Sequence, residues 1–360
     1  MKLGLTKSGK EVRISKKSNN RHIVIYGESG AGKSFRLKGI LKDAVAHGKT
    51  VIAFNLDKVP IEKELLGSNC IDVLEDGINL SILDDSAIKG KKENPFVLIE
   101  HIKNLLIGNE KYGNRQVDAL RMAIKAAIEK RNSEVTELTD IKNHLKLQGT
   151  PVAECVISKL WPLLESDILK REGKSIIPHC LNVIKLGGMP EDTQTIALEM
   201  ILGILWYQVQ LRGAQDTVNQ DELVIVIDEI QRLTLSRKSV INSILEQGRK
   251  FEITLIVATQ SATYIKKEVL NHLNGSSITL YFHPNNKEEK KIAELIDGSK
   301  VEHYATKLKK LDKGLSYVTG KIVIDGYEYD KPLIIGPACK YPNNILRNEP
   351  LLAEQKIFKS

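Results

Sequence analysis

His22-Ile23-Val24-Ile25-Tyr26-Gly27-Glu28-Ser29-Gly30-Ala31-Gly32-Lys33-Ser34, residues 22–34, decides how the rest of the chain is read. Its first five residues are dominated by β-branched side chains and end in a Gly-rich turn, the pattern of a strand buried on both faces. Helical pattern resumes at Lys33. A turn that fits G-x-x-x-x-G-K-[ST] between strand and helix is built to cradle phosphate. The glycines let backbone N–H groups point inward, and the helix adds free N–H groups and the positive end of its dipole. Lys33 would place a point charge on the β- and γ-phosphates of ATP, and the Ser34 hydroxyl would ligate Mg2+. The candidate cradle is Gly27, Glu28, Ser29, Gly30, Ala31, Gly32, Lys33, Ser34 and Phe35. The competing reading is a Gly-rich turn without a ligand.

Farther along, Leu223-Val224-Ile225-Val226-Ile227-Asp228-Glu229 carries two carboxylates at the end of an apolar strand. Ligands of open parallel sheets bind at the carboxyl ends of strands. Asp228 would hold Mg2+, and Glu229 would polarise the attacking water as general base. The next strand ends in Val257-Ala258-Thr259-Gln260, and the Gln260 amide is placed to sense the γ-phosphate and orient water. Between the two strands stands Arg249. It reads either as an arginine finger for a neighbouring subunit's ATP or as a surface arginine stabilised at a helix C-terminus.

Around these motifs the chain alternates strands and helices. The pattern predicts strands over Thr50–Asn55, Leu181–Leu186, Ile253–Ala258 and Ser277–Phe282, and helices over Thr193–Leu211 and Lys238–Arg249. This is an α/β fold with a mostly parallel central sheet covered on both faces. Residues 1–20 read as an N-terminal arm or hairpin turning at Ser8-Gly9. Residues 21–99 and 176–337 form the two parts of the nucleotide-binding core. Residues 100–175 read as a helical insertion, with Val117, Leu120, Ile124 and Ile128 as its apolar stripe and a helix start at Thr139-Asp140. Residues 315–335 read as a short β-meander, and 338–360 as a C-terminal tail.

Composition narrows the function classes. The chain has 360 residues, 42% hydrophobic and 27% charged, enough for a large core without disulfide staples. Cys70, Cys155, Cys180 and Cys339 are far apart and lack metal-ligand spacing, which suits reduced, mostly buried thiols in the cytoplasm. The basic start lacks the apolar core of a signal peptide, and Ile196–Leu211 is too short and polar to span a bilayer. Net charge is +8. Residues 1–50 hold twelve Lys/Arg against three Asp/Glu, a balance of +9. That excess suits a phosphate-bearing partner such as DNA, and equally a solvated basic face.

Taken together, the strand–cradle–helix, the Leu-Val-Ile-Val-Ile-Asp-Glu run and Glu-Gln-Gly-Arg-Lys-Phe-Glu-Ile-Thr-Leu-Ile-Val-Ala-Thr-Gln (246–260) resemble the HerA/FtsK superfamily of ring-forming DNA and protein pumps. Gly4-Leu5-Thr6, Asn20-Arg21-His22, Gly77-Ile78-Asn79-Leu80 and Leu311-Asp312-Lys313-Gly314 extend the likeness over about residues 1–337. The resemblance implies a RecA-like core, a hexameric ring with ATP at subunit interfaces, and a substrate threaded through the pore. It favours the finger reading of Arg249. The chain departs from the family at Glu252, where glycine is usual, and at Ser261-Ala262, where Arg-Pro is frequent. HerA-type proteins carry an N-terminal β-barrel, for which the roughly 22 residues before the first strand leave no room. A DNA translocase is the leading expectation. The alternatives are a secretion-type ATPase that moves protein, and a nucleotide-gated scaffold that organises a nuclease or other effector. The tail, through Leu346, Leu351, Leu352 and Ile357, would pack on a neighbouring subunit.

Overall fold

The computed structural model describes residues 1–18, 21–56, 67–83, 94–108, 110–130, 135–212, 222–233, 239–261, 273, 278–285 and 287–337. The expected tail at 338–360 lies outside them, as does Lys238. A nine-stranded sheet forms the centre. Its strands are β3 (Ile23–Tyr26), β4 (Thr50–Asn55), β5 (Asn69–Asp72), β6 (Leu181–Lys185), β7 (Leu223–Ile227), β8 (Ile253–Thr259), β9 (Ile278–Tyr281), β10 (Ser316–Thr319) and β13 (Leu333–Ile335), in the order β13-β10-β9-β3-β8-β7-β4-β6-β5. From β9 to β5 every pairing is parallel, whereas β10 and β13 are antiparallel.

Period-two alternation assigns each strand residue to a face. Ile23, Ile25, Val224, Val226, Ile256 and Ala258 pack with Leu37, Ile40, Leu41 and Ala44 of α1 (Lys33–Ala46). Val24, Ile225, Ile227, Leu255 and Val257 face the other way, onto α6 (Glu191–Arg212) and α7 (Val240–Gln247). The apolar stretch Ile196–Leu211 lies inside α6, where Ala197, Leu198, Ile201 and Leu202 are buried. No described helix is long and apolar enough to cross a membrane.

Between β5 and β6 the chain forms α2 (Pro95–Ile107), α3 (Asn114–Glu129), α4 (Glu137–Leu147) and α5 (Pro151–Ser166). Leu120 and Ile124 of the expected stripe are fully buried, while Val117 and Ile128 are half-buried. The start of α4 is Thr136 rather than Thr139-Asp140, because the Thr136 hydroxyl accepts the Thr139 N–H as an N-cap. The buried Glu137 carboxylate accepts Ser81 Oγ at 2.6 Å and the backbone N–H groups of Ile82 (2.6 Å) and Leu83 (3.1 Å). Those charge-assisted bonds fasten the helical block to the segment that follows β5.

The first residues form the expected hairpin, β1 (Lys2–Leu5) against β2 (Glu11–Ile14), with Gly9 at φ 82°. The strands of 315–335 are antiparallel and divide between two sheets. β10 and β13 extend the central sheet, and β11 (Ile322–Ile324) and β12 (Tyr327–Tyr329) join the hairpin in the order β1-β2-β11-β12. Two short helices, α8 (Glu289–Ile296) and α9 (Val301–Lys309), precede β10. Three thiols are described and none is in a disulfide: Cys155 is exposed, and Cys70 and Cys180 are half-buried rather than buried.

At the amino ends of the central strands, Arg21 pairs with Glu222 at 2.6 Å and Glu252 at 3.3 Å, and Lys49 pairs with Glu222. Glu252 has φ 53°, a left-handed conformation that favours glycine. The glycine usual in the resembled family therefore has a backbone reason, and here the ion pair to Arg21 offsets the strain.

Glu199 of α6 lies beside the end of α2 at Gly108, and burial raises its pKa to about 7. The unfolded chain loses this proton near its ordinary value of 4.5, so stability falls as pH rises from about 4.5 to 7 and is flat above. Glu199→Gln is expected to stabilise the fold at pH 8 by on the order of 2 kcal/mol and to be neutral at pH 4.5. Urea denaturation at the two pH values checks this, and an equal effect at both would contradict it.

Candidate functional site

Three strand ends meet at the carboxyl edge of the sheet. β8 lies between β3 and β7, with Tyr26 level with Thr259 and Ile227 level with Val257. Continuing each strand by one or two residues brings Gly27, Asp228, Glu229 and Gln260 to the same edge.

The Gly27–Ser34 turn has the form of an anion cup. Gly30 and Gly32 take left-handed φ values of 80° and 105°. Gly32 ends the cup as N-cap of α1 without any side-chain cap, so the first turn of α1 opens into the cup. Two close approaches fix its outer wall. A Cβ on Gly27 would stand 2.6 Å from Phe282 Cβ, and one on Gly32 would stand 2.8 Å from Gly314 Cα. Backbone bonds seal the contact, from Gly27 N to Thr259 O (3.3 Å), Glu28 N to His283 O (2.8 Å) and Gly314 N to Ala31 O (2.9 Å).

Lys33 is 8% exposed and donates Nζ to the carbonyls of Gly27 (2.7 Å) and Glu28 (2.8 Å). Its pKa is lowered by burial, against opposing pulls from Asp228, Glu229 and Glu28. The ammonium is thus dehydrated, held by neutral oxygens and near three carboxylates, ready to exchange carbonyls for phosphate oxygens. Phe35 follows in the first turn of α1 and is 40% exposed.

Ser34, Asn55 and Asp228 border one small cavity of about 30 Å³ whose wall is otherwise mostly apolar, from Leu37, Leu41, Phe54, Val183 and Val226 among others. The Ser34 hydroxyl and the Asp228 carboxylate at its rim are oxygen donors that would suit a hard divalent cation keeping several waters and taking its remaining ligands from substrate phosphates. Among the described residues no group of three or more His, Cys, Asp or Glu converges to cage a metal. Asp228 accepts the Glu229 N–H at 3.0 Å. Glu229 sits at φ 57°, an uncommon conformation for a non-glycine residue, and it turns the chain sharply off β7. Gln260 donates Nε2 to Glu229 Oε1 at 2.8 Å, and its carbonyl accepts Asn285 Nδ2 at 2.9 Å. The hydroxyl of the next residue, Ser261, bonds the buried Glu288 carboxylate. Ala262, its neighbour at the family departure, lies outside the described residues.

Arg249 falls elsewhere. It is exposed, in a 3-10 turn (Gly248–Phe251) that interrupts the expected helix before β8. That places it at the amino end of β8, whose seven residues separate it from Gln260 by about 20 Å. The described fold cannot bring Arg249 to its own cup.

Two further residues belong to the site and escaped the sequence reading. Asn55, 3% exposed, ends β4 one residue past the Phe54–Ile227 pairing, level with Asp228. A polar residue closing an apolar strand at the ligand edge is the signal that could have found it. Arg36 is 1% exposed and its guanidinium reaches Leu3 O (3.3 Å), Gly314 O (2.9 Å), Ile335 O (3.1 Å) and Ser316 Oγ (3.1 Å), with Phe282 stacked at 5.4 Å. Its acceptors lie about 280 residues away or more, apart from Leu3, so no local pattern announces it.

The fold is that of RecA-like P-loop NTPases. Within that class the chain is similar to proteins of the HerA/FtsK type. It is 24% identical over 374 aligned positions to the DNA double-strand break repair helicase HerA of Sulfolobus acidocaldarius, covering 97% of this chain and 70% of that relative. To HerA of Saccharolobus solfataricus it is 21% identical over 333 positions, covering 87% and 64%. The chain thus spans about two thirds of the length of these relatives. No family model matches it. The fold is shared with VirB4 of Thermoanaerobacter pseudethanolicus (TM-score 0.66, 15% identity, 94% of this chain and 96% of that one). It is shared also with the plasmid coupling protein TrwB in complex with ADP and Mg2+ (TM-score 0.61, 10% identity, 95% and 91%).

Lys33→Ala removes the ammonium that bonds the Gly27 and Glu28 carbonyls. Nucleotide affinity, read by calorimetry, is expected to fall at least about 30-fold, as for loss of one partner of a buried charge pair. Unchanged affinity would remove the cup from the nucleotide site.

Proposed function

We propose that the chain is an ATP-hydrolysing ring motor that translocates DNA. The observation that carries this reading is the direct bond between Gln260 and Glu229 at the edge that also holds Lys33. A base and a γ-phosphate sensor in contact can read one substrate. The HerA relatives, named as DNA repair helicases, supply the cargo.

In this mechanism the triphosphate displaces the Gly27 and Glu28 carbonyls from Lys33, which then neutralises charge on the β- and γ-oxygens. Mg2+, when bound at Ser34 and Asp228, supplies further charge neutralisation and aligns the phosphates. The γ-phosphate draws the Gln260 amide away from Glu229. The freed carboxylate accepts the proton of a water whose oxygen bonds to the γ-phosphorus in line, while the bond from that phosphorus to the β–γ bridging oxygen breaks and ADP leaves with the oxygen. Loss of phosphate lets Gln260 return to Glu229. Movement is passed on through Asn285 and Glu288, which hold the backbone and side chain just beyond Gln260. Arg249, far from its own cup, acts on the ATP of the next subunit and so requires a homo-oligomer, which we take to be a hexamer in the cytoplasm. A nuclease or another effector is the partner class that such a repair motor would serve.

Glu229→Gln should leave ATP binding intact and lower turnover by about 10²–10⁴; near-normal hydrolysis would show that another group is the base. Arg249→Ala should lower turnover by about 10³–10⁵. Mixing Arg249→Ala with Glu229→Gln subunits should restore part of the activity, since some interfaces then pair an intact base with an intact arginine; no recovery at any ratio would count against action in trans. For the whole reading, the ATPase rate is measured with and without duplex DNA, alongside displacement of a DNA-bound roadblock. Stimulation with displacement supports a translocase. Nucleotide-dependent assembly without displacement would replace it with a scaffold, and indifference to any DNA would point to protein cargo.

A further inference from the structure

The turn at Asp312–Leu315 enters the cup from outside the motifs that define it. Leu315 N bonds Asp312 O at 3.0 Å, and Gly314 at φ 84° occupies the corner that only a glycine takes without strain. The turn is fixed rather than merely adjacent. Gly314 donates its N–H to Ala31 O at 2.9 Å, and its carbonyl accepts the buried Arg36 guanidinium at 2.9 Å. Gly314 Cα comes so close to Gly32 that a methyl on Gly32 would stand 2.8 Å from it. The residue before Gly314 is Lys313, which is exposed and makes no ion pair among the described residues. One Cα step of about 3.8 Å separates it from Gly314, so its four-carbon stem brings the ammonium within reach of anything seated in the cup.

Sheet order says which part of a nucleotide it would meet. β8 and β7, carrying Gln260, Asp228 and Glu229, lie on one side of β3, and β9 and β10 lie on the other. The turn leads into β10 and so stands on the flank away from the acids. A triphosphate whose γ-phosphate faced the acids would run its α-phosphate and ribose toward the turn. We propose that Lys313 is a nucleotide-binding residue that pairs with the α-phosphate, held in place by Arg36 and Gly314 as positioning residues. This rests on the cup being the nucleotide site.

The test measures binding of a non-hydrolysable ATP analogue and of ADP, each with Mg2+, to Lys313→Ala, Lys313→Arg and Lys33→Ala of the full chain. Lys313 is exposed, so its variants should melt like the parent. An α-phosphate contact predicts an equal loss of about 5- to 10-fold for both nucleotides in Lys313→Ala, shrinking as salt is raised and recovered in Lys313→Arg. Affinity within twofold of the parent, or loss confined to the ATP analogue, overturns the proposal. Lys33→Ala separates the two levels. If it loses binding while Lys313→Ala does not, only this inference falls; if it binds normally, the nucleotide site itself falls with it.

Discussion

A dehydrated ammonium held by two carbonyl oxygens is the interaction on which the site depends. Lys33 costs energy where it sits, as the downward pull on its pKa shows, and the fold sustains that cost by giving it Gly27 and Glu28 carbonyls and three carboxylates nearby. The arrangement survives only if the loop cannot relax around it. Phe282 behind Gly27, Gly314 behind Gly32 and the Thr259 and His283 carbonyls prevent that relaxation. Preorganisation of this kind means that little has to move when phosphate replaces carbonyl.

The same logic explains why the acids and the amide come from different strands. A parallel sheet delivers its carboxyl ends in register along one edge, so three short polar endings become neighbours without any loop having to search. Glu229 needs a left-handed turn to leave β7 at the right angle, and it meets Gln260 there. Strain at Glu229 and strain at Glu252 have different settings. The first sits where the chemistry is placed, whereas the second lies at the opposite edge and is offset by Arg21.

Much of this could be read from residues alone. Strands with continuous β-branched runs, such as Ile23–Tyr26 and Leu223–Ile227, stood out because burial on both faces leaves no other composition for them. The cup stood out because its glycines follow a backbone requirement. Helix boundaries were less legible. Thr136 caps α4 three residues before the place that Thr139-Asp140 suggested, since both are good caps and only packing chooses between them. The short strand β5 was missed because its four residues, Asn69-Cys70-Ile71-Asp72, lack the β-branched run that marks the equally short β3. The division of the last strands between two sheets was hidden for another reason. Spacing of apolar runs shows that strands exist, and their partners are set by contacts with residues 1–14, over three hundred positions earlier. Arg36 belongs to the same category.

Those distant pairings have a consequence for how the protein is born. During synthesis the chain emerges with α1 and the loop before it already complete, yet Arg36 still lacks Gly314, Ser316 and Ile335 as acceptors. An unsatisfied guanidinium cannot enter the apolar layer under α1, so that layer stays open until β10 and β13 have left the ribosome. Closing so large a loop is also a slow, entropically costly step. A nascent chain that lacks those strands therefore cannot complete the layer beneath α1 on which the Gly27–Ser34 cup rests.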